Sequence, residues 1–169
     1  AMCPVSGADC AAAGMVFDAN HCVPAASGCS AARYLSGGTC LLCGVRKGTN
    51  GLTGQTACSL CNPGSFSATD GPCELCARGK FGTLTGESSA AVACAGSCSK
   101  GKWGNSTGLT TDNMCSKCAA GLFGSTTGKA SSDQSCTGQC VQGRWSNRTG
   151  LTSTEQCAMC NAGRWSGAL

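Results

Sequence analysis

Pairs of cysteines recur in this chain at a fixed interval of 42 residues, and this periodicity limits what the chain can fold into. The stretch "CSKGKWGNSTGLTTDNMC" at 98–115 returns as "CVQGRWSNRTGLTSTEQC" at 140–157. Four sets of cysteines keep the interval: Cys76, Cys118 and Cys160; Cys94 and Cys136; Cys98 and Cys140; Cys115 and Cys157. Identical offsets at so many positions indicate an internal repeat that conserves architecture while the residues between drift.

The composition shows what must stabilise such a repeat. Of 169 residues 18 are cysteine and 26 glycine, whereas only 5% are aromatic, which is too few to build one large apolar core. A disulfide that closes a loop of roughly 15 residues contributes about 3 kcal/mol in the chain-entropy model. We therefore predict a small disulfide-rich fold of tandem cysteine-rich repeats, with short β-hairpins and little helix, arranged as an elongated rod.

The cysteine spacing also predicts a division into segments. Pairs separated by two residues alternate with pairs separated by three, so that one structural unit holds four cysteines. This framing places modules at residues 58–93, 94–135 and 136–169. Residues 40–57 form a degenerate repeat, because the segment after Cys43 lacks the expected glycine and aromatic residue. Residues 1–39, with a different cysteine spacing, form an irregular N-terminal cap.

Each half-repeat carries a local pattern after the second cysteine of its pair. Glycine follows three residues later and predicts a turn with positive φ. A Thr-Gly pair downstream predicts another turn. An aromatic residue, expected to fold back over a disulfide, follows five residues after that cysteine, at Phe66, Phe81, Trp103, Phe123, Trp145 and Trp165.

The sequence leaves two disulfide schemes open. Crossed pairing within modules joins first to third and second to fourth cysteines, uses every cysteine and is the scheme we favour. Its bridges are Cys58–Cys73, Cys61–Cys76, Cys94–Cys115, Cys98–Cys118, Cys136–Cys157 and Cys140–Cys160, with Cys3, Cys10, Cys22, Cys29, Cys40 and Cys43 left to pair upstream. The alternative joins each second cysteine to the next first one, such as Cys98 to Cys115, and leaves Cys160 unpaired.

The density of disulfides indicates the cellular compartment of the protein. Disulfides persist in oxidising surroundings, so we predict a secreted protein outside the cell or at its surface. The net charge of +4 comes from isolated Lys and Arg, which indicates ordinary solubility and no nucleic-acid partner. No stretch reaches the length of a membrane span, and we expect any signal peptide to have been removed.

Two sequons occupy the same place in successive repeats. "NST" at Asn105 and "NRT" at Asn147 each begin two residues after a tryptophan. Such sites accept N-linked glycans in secreted proteins. We predict a covalent glycan at both positions, each on an exposed loop.

Other chemistries fit less well. The spacing of Cys40, Cys43, Cys58 and Cys61 would suit zinc, but the three-residue spacings and the sequons favour disulfides. A redox C-x-x-C site occurs singly and not in series. The one histidine, His21, has no partner Ser, Asp or Glu placed to make it catalytic. We predict no enzyme activity, no metal and no cofactor.

The serial C-x-x-C-x-x-G-x-[FW] pattern followed by Thr-Gly resembles the ephrin-receptor-like cysteine-rich repeats of surface proteins, closest to those of algae and other protists. The resemblance implies a rod of tumour-necrosis-factor-receptor-like or EGF-like units without catalytic residues. We therefore expect a structural extracellular glycoprotein, a repeat subunit of a coat, appendage or filament that self-associates into a homopolymer. The alternative is a ligand-binding ectodomain of a receptor or adhesin.

Overall fold

Short β-hairpins make up most of the regular structure. The computed structural model describes Cys10, residues 15–24, residues 28–162 and Arg164. Its contacts divide the chain into a first unit, Ala1–Leu75 with Leu84–Ala93, and a second unit, Cys76–Thr83 with Cys94–Leu169. The small disulfide-rich fold predicted from the sequence is confirmed, whereas the boundaries of its five segments stay a prediction.

A four-stranded sheet opens the first unit. Its strands are β1 (Met15–Asp18), β2 (His21–Pro24), β3 (Arg33–Ser36) and β4 (Thr39–Leu42), arranged in the order β2-β1-β4-β3. The pairs β1–β2 and β3–β4 are antiparallel hairpins, and β1 meets β4 in parallel. The sheet covers a small cluster of Val16 and the Cys29–Cys40 disulfide.

In the described part of the chain, six two-stranded antiparallel hairpins follow the sheet. They pair β5 (Lys47–Gly48) with β6 (Ser59–Leu60), β7 (Ser65–Phe66) with β8 (Glu74–Leu75), β9 (Lys80–Phe81) with β10 (Gly96–Ser97), β11 (Lys102–Trp103) with β12 (Ser116–Lys117), β13 (Leu122–Phe123) with β14 (Gly138–Gln139), and β15 (Arg144–Trp145) with β16 (Ala158–Met159).

Among the elements that the structure describes in full, helix occurs as single turns. The α-helical turns are α1 (Ala90–Ala93) and α2 (Ser132–Ser135), and the 3₁₀ turns are Asp112–Met114 and Thr154–Gln156. No helix among the described residues has the length and apolar character needed to cross a bilayer.

The disulfides follow the serial scheme, so the crossed pairing favoured from the sequence is wrong. We call each segment closed by one bridge a disulfide loop, with an opening and a closing cysteine. The described bridges are Cys10–Cys22, Cys29–Cys40, Cys43–Cys58, Cys61–Cys73, Cys76–Cys94, Cys98–Cys115, Cys118–Cys136 and Cys140–Cys157. Cys160 forms no disulfide with any described cysteine, and Cys3 lies outside the described residues.

The hairpins explain the serial pairing. Within each cysteine pair the second strand of a hairpin lies between the two cysteines, as Ser116 and Lys117 lie between Cys115 and Cys118. The first cysteine therefore ends the loop before the strand, and the second opens the loop after it. Strand pairing brings opening and closing cysteines to Cα separations of 5.3–5.8 Å, inside the range that a disulfide requires.

The same loop pattern begins upstream of the predicted repeat. Arg33 and Tyr34 pair with Leu42 and Leu41 in the Cys29–Cys40 loop. In the Cys98–Cys115 loop, Lys102 and Trp103 pair with Lys117 and Ser116 in the same way. The sequence hides this likeness because Ala32, at φ 73°, stands where the loops from Cys61 onward have glycine.

The disulfides themselves form the core. Eight of the ten largest fully buried side chains are cysteines, and the other two are Ser67 and Ser135. Seven of these cysteines open a loop: Cys10, Cys29, Cys43, Cys61, Cys76, Cys98 and Cys118. Covalent bridges thus occupy the interior positions that aliphatic side chains fill in ordinary domains.

Candidate functional site

The contact that joins one loop to the next is a backbone hydrogen bond from a glycine. The N–H of a late-loop glycine donates to the carbonyl of the opening cysteine in the preceding loop, at 2.7–2.8 Å. In the first unit the pairs are Gly54 to Cys29, Gly71 to Cys43 and Gly86 to Cys61; in the second unit they are Gly108 to Cys76, Gly128 to Cys98 and Gly150 to Cys118. The Thr-Gly pairs therefore connect loops as well as turning the chain.

These connecting glycines all have positive φ, from 63° to 140°. Only glycine adopts such values at little cost, so the residue type is required by the backbone. Gly71 takes this position without the preceding threonine that marks the other copies, because Asp70 precedes it. The sequence pattern therefore missed Gly71, although an Asp-Gly pair was the available signal.

A second glycine position sets how closely loops approach. Gly79 and Gly101 lie three residues after their opening cysteines, at φ 78° and 72°. A Cβ on Gly79 would come within 2.5 Å of the Gly128 carbonyl oxygen, and one on Gly101 within 2.5 Å of the Gly150 carbonyl oxygen. In the second unit these glycines thus pack against the loop two places further along.

In the first unit, a non-glycine residue takes this second position in the Cys43–Cys58 loop. Arg46 has φ 70° and its guanidinium donates to the carbonyl of Gly86. A non-glycine residue in this conformation costs about 1 kcal/mol, which the added hydrogen bond offsets. The segment that looked degenerate in sequence therefore keeps the backbone of the repeat.

The predicted structural aromatics lie at the junctions between loops. Phe66, Phe81 and Phe123 each form a parallel bridge with the residue after the connecting glycine of the next loop, at Glu87, Leu109 and Leu151. Phe81 also packs against Leu109 and the Cys98–Cys115 disulfide, which belong to the next loop and not to its own. Tyr34, bridged to Gln55, holds the same position and was missed.

The remaining tryptophans differ in exposure. Trp103 is half-buried and pairs across its hairpin with Ser116. Trp145, in the Cys140–Cys157 loop, is 48% exposed. Trp165 lies outside the described residues.

Two aspartates fix the start of a loop in the same way. Asp112 accepts hydrogen bonds from the N–H and hydroxyl of Ser99 and forms an ion pair with Lys102. Asp18 likewise accepts from the Ser30 N–H and faces Arg33 at 3.3 Å. The serine directly follows an opening cysteine in both cases, so the carboxylate ties the turn to the first strand of its hairpin.

Hydrogen bonding decides the ionisation of both aspartates. Desolvation by burial alone would raise the pKa of Asp112, but the hydrogen bonds from Lys102 and Ser99 and the charge of Lys102 outweigh it and lower the pKa. Burial would also raise the pKa of Asp18, and the hydrogen bonds from Ser30 with the charge of Arg33 lower it. Each carboxylate therefore stabilises the fold in its ionised form.

The two sequons lie on exposed backbone just after a strand. Asn105 follows β11 and Asn147 follows β15, and both side chains are exposed. The only side-chain hydrogen bond described for Asn105 is with its neighbour Ser106, at 3.3 Å. Neither asparagine is needed for packing between loops, so a glycan on either would project from the surface.

Cys160 stands at the register of an opening cysteine. Its N–H donates to the Gly143 carbonyl at 2.9 Å, as the N–H of Cys118 donates to Gly101. Upstream opening cysteines are buried, whereas Cys140 and Cys160 are only half-buried. The exposure rises where, among the described residues, no following loop covers the cysteine.

His21 and the cysteines with zinc-like spacing are the remaining candidates from the sequence. The ring of His21, at the start of β2, contacts the carbonyl of Ala19 at 3.1 Å. Within the described part of the chain no group of three or more His, Cys, Asp or Glu could hold a metal ion. The candidate functional features are thus the loop junctions, the sequons and the exposed last loop.

Comparison with protein-family profiles and with curated protein sequences finds no match to this chain. The structure itself shows a cysteine-rich repeat domain of disulfides and small β-hairpins.

We predict that alanine substitutions at two equivalent glycines distinguish the cost of left-handed backbone strain from the cost of a clash with a neighbouring loop. Gly101→Ala adds left-handed strain of about 1–2 kcal/mol and a backbone clash of about 1–3 kcal/mol. Gly143→Ala, at the equivalent position with φ 80°, meets no described atom within 4 Å and should cost only the strain. Guanidinium unfolding with the disulfides intact measures both, and equal losses would contradict the packing described.

We also predict a pH-dependent role for Asp112. Since its pKa is lowered on folding, its stabilisation is complete above the unfolded value near 3.8 and is lost as pH falls through the folded value. The partly exposed pair is screened by solvent, so Asp112→Asn should cost about 1 kcal/mol at pH 7.

The difference between wild type and Asp112→Asn should shrink as unfolding is measured from about pH 5 down to about pH 2. The matched control is Asp133→Asn, an exposed carboxylate on α2, with an expected effect within about 0.5 kcal/mol. If the difference in unfolding free energy between wild type and Asp112→Asn stayed constant over this range, the charge of Asp112 would contribute nothing to stability.

Proposed function

We propose that this chain is a structural extracellular glycoprotein, a repeat subunit of a cell-surface coat, appendage or filament that self-associates through a surface on its Cys140–Cys157 loop. The observation that carries the proposal is the loop junction, repeated six times with the same donor and acceptor. A junction so regular is built for adding further loops, as in other solenoid arrays.

The Cys140–Cys157 loop supports the self-association. Val141, Trp145 and Met159 are 54%, 48% and 71% exposed, and all three lie in its hairpin or in the turn before it. In preceding loops the aromatic residue is only partly exposed, and at Tyr34, Phe66, Phe81 and Phe123 it bridges to a following loop. A second copy that packs here would bury these side chains and cover Cys140. Contact between unlike ends of identical copies extends into a filament.

An extracellular setting agrees with the covalent chemistry. Eight disulfides among the described residues require an oxidising compartment to persist. The exposed sequons at Asn105 and Asn147 are 42 residues apart, so their glycans would recur once per repeat. Repeated surface glycans would keep the sides of the proposed rod solvated.

The resemblance to ephrin-receptor-like repeats supports the proposed extracellular role through the type of module alone. Tumour-necrosis-factor-receptor-like and EGF-like arrays are serial disulfide scaffolds in proteins of the cell surface. We propose the elongated rod on that basis, with a length set by the number of loops.

A ligand-binding ectodomain is the second candidate. Leu42, Leu60 and Leu75 in the first unit each directly precede an opening cysteine and are 45–58% exposed. Equivalent positions of stacked repeats present a row of side chains, and exposed apolar rows often bind partners. Arg46, at the divergent segment, is exposed and uses one of its guanidinium N–H groups on the Gly86 carbonyl.

Sedimentation velocity of the native secreted protein over a range of concentrations tests the proposal. We expect mass-action growth beyond the monomer, weakened about tenfold or more by Val141→Ser with Met159→Lys. Ser99 and Lys117 occupy these positions one repeat earlier, so the fold accommodates both residues. The control is Leu84→Ser with Val92→Ser, two exposed apolar residues of the first unit.

A strictly monomeric protein at every concentration would favour the ligand-binding candidate. Intact mass before and after enzymatic deglycosylation of the same sample tests the glycans. Asn105→Gln and Asn147→Gln should each reduce the mass that deglycosylation releases. If deglycosylation left the wild-type mass unchanged, the proposal of a glycoprotein would be contradicted.

A further inference from the structure

Basic residues that are isolated in the sequence are concentrated in the second unit. This unit holds nine Lys and Arg against three Asp and Glu, whereas the first unit holds three against five. The overall charge of +4 therefore hides a marked asymmetry. A local excess of one sign raises the concentration of opposite charge at a surface.

One group of basic residues surrounds Gly79. Arg78 and Lys80 flank this glycine and are exposed. The backbone of Lys129 packs against it, with the Lys129 carbonyl carbon 3.0 Å from the position of a Gly79 Cβ. The close approach between loops thus brings the backbone of a third basic residue to the turn that Arg78 and Lys80 flank.

A second group surrounds Gly101 in the next loop. Lys100 and Lys102 flank this glycine, and Lys102 lies directly opposite Lys117 in the hairpin. Like charges opposite one another destabilise a sheet, so this pair has a cost. The aliphatic part of Lys117 lies 3.3–3.5 Å from the position of a Gly150 Cβ, which holds its stem along the Cys140–Cys157 loop.

Little negative charge offsets these six residues, which we call the basic cluster. Lys102 forms an ion pair with Asp112. Lys80 donates to the uncharged hydroxyl of Ser97. The cluster also has a direct link between its halves, because the N–H of Gly79 donates to the Gly104 carbonyl.

We propose that the basic cluster binds an acidic polysaccharide, a linear polymer of sulfated or carboxylated sugars. A small anion needs convergent buried donors, whereas four of these side chains are exposed and two are half-buried. Cations repeated from loop to loop match a polymer whose charges also repeat, and binding gains from released counterions. The inference rests on the extracellular setting of the proposed function and names a partner for it.

Retention on immobilised heparin, as a sulfated probe, at increasing NaCl tests the cluster, with neutral dextran as the blank. The variant is Arg78→Ala with Lys100→Gln, since Ala120 and Gln142 stand at these positions one repeat later. The control is Lys47→Gln with Arg148→Gln, which removes the same charge elsewhere and preserves the Asn147 sequon.

Wild type and control should bind with similar salt dependence, and the cluster variant should lose about 1.5 from the slope of log K against log salt. Equal losses in the two variants, or no binding of wild type, would overturn the proposal. Equal affinity for single-stranded DNA would overturn the polysaccharide as its partner. Self-association and glycan mass are measured on the same samples, so wild type that self-associates without binding heparin leaves the proposed function standing.

Discussion

The structure depends on one hydrogen bond, repeated from loop to loop, in which a glycine N–H reaches the carbonyl of the opening cysteine of the loop before. Its donor must adopt positive φ, which accounts for the glycine. Its acceptor belongs to the most buried residue of the preceding loop. Because the same residue carries the carbonyl and the disulfide sulfur, the contact between loops is anchored at the covalent closure of each loop.

Stability is therefore divided between two kinds of interaction. Each disulfide closes a segment with a sequence separation of 11–18 residues and restricts the unfolded chain locally. Backbone hydrogen bonds and the close approach of glycines then hold successive loops together. A chain organised in this way needs no large apolar core. Disulfide-bonded cysteines are the commonest residues in its described interior.

The sequence predicted the period, the hairpins and the glycine positions, because these recur at fixed offsets. It failed on connectivity, since the crossed scheme was chosen to give every cysteine a partner, and the structure leaves Cys160 without one among the described residues. An even number of cysteines says nothing about which of them lie close together, whereas the pairing of strands does. Ala32 and Arg46 were missed because their left-handed backbone is invisible in residue type.

The site was predicted only in part. The sequons were evident as a motif, and the aromatic position followed from its spacing. The basic cluster was not predicted, because its cations are isolated along the chain and are brought together by contacts between loops, such as the packing of Gly79 against Lys129. The Asp112 contacts likewise join residues 10 and 13 positions apart, where no local motif marks them.

Disulfide mapping of the unreduced protein after trypsin digestion tests the account most directly. Cleavage after Lys and Arg isolates Cys118 on a fragment of residues 118–129. Serial closure predicts that this fragment is joined to residues 130–144 through Cys136. A bridge from the same fragment to residues 81–100, through Cys98, would mean that two loops share a crossed closure, and it would contradict the loop-by-loop architecture described above.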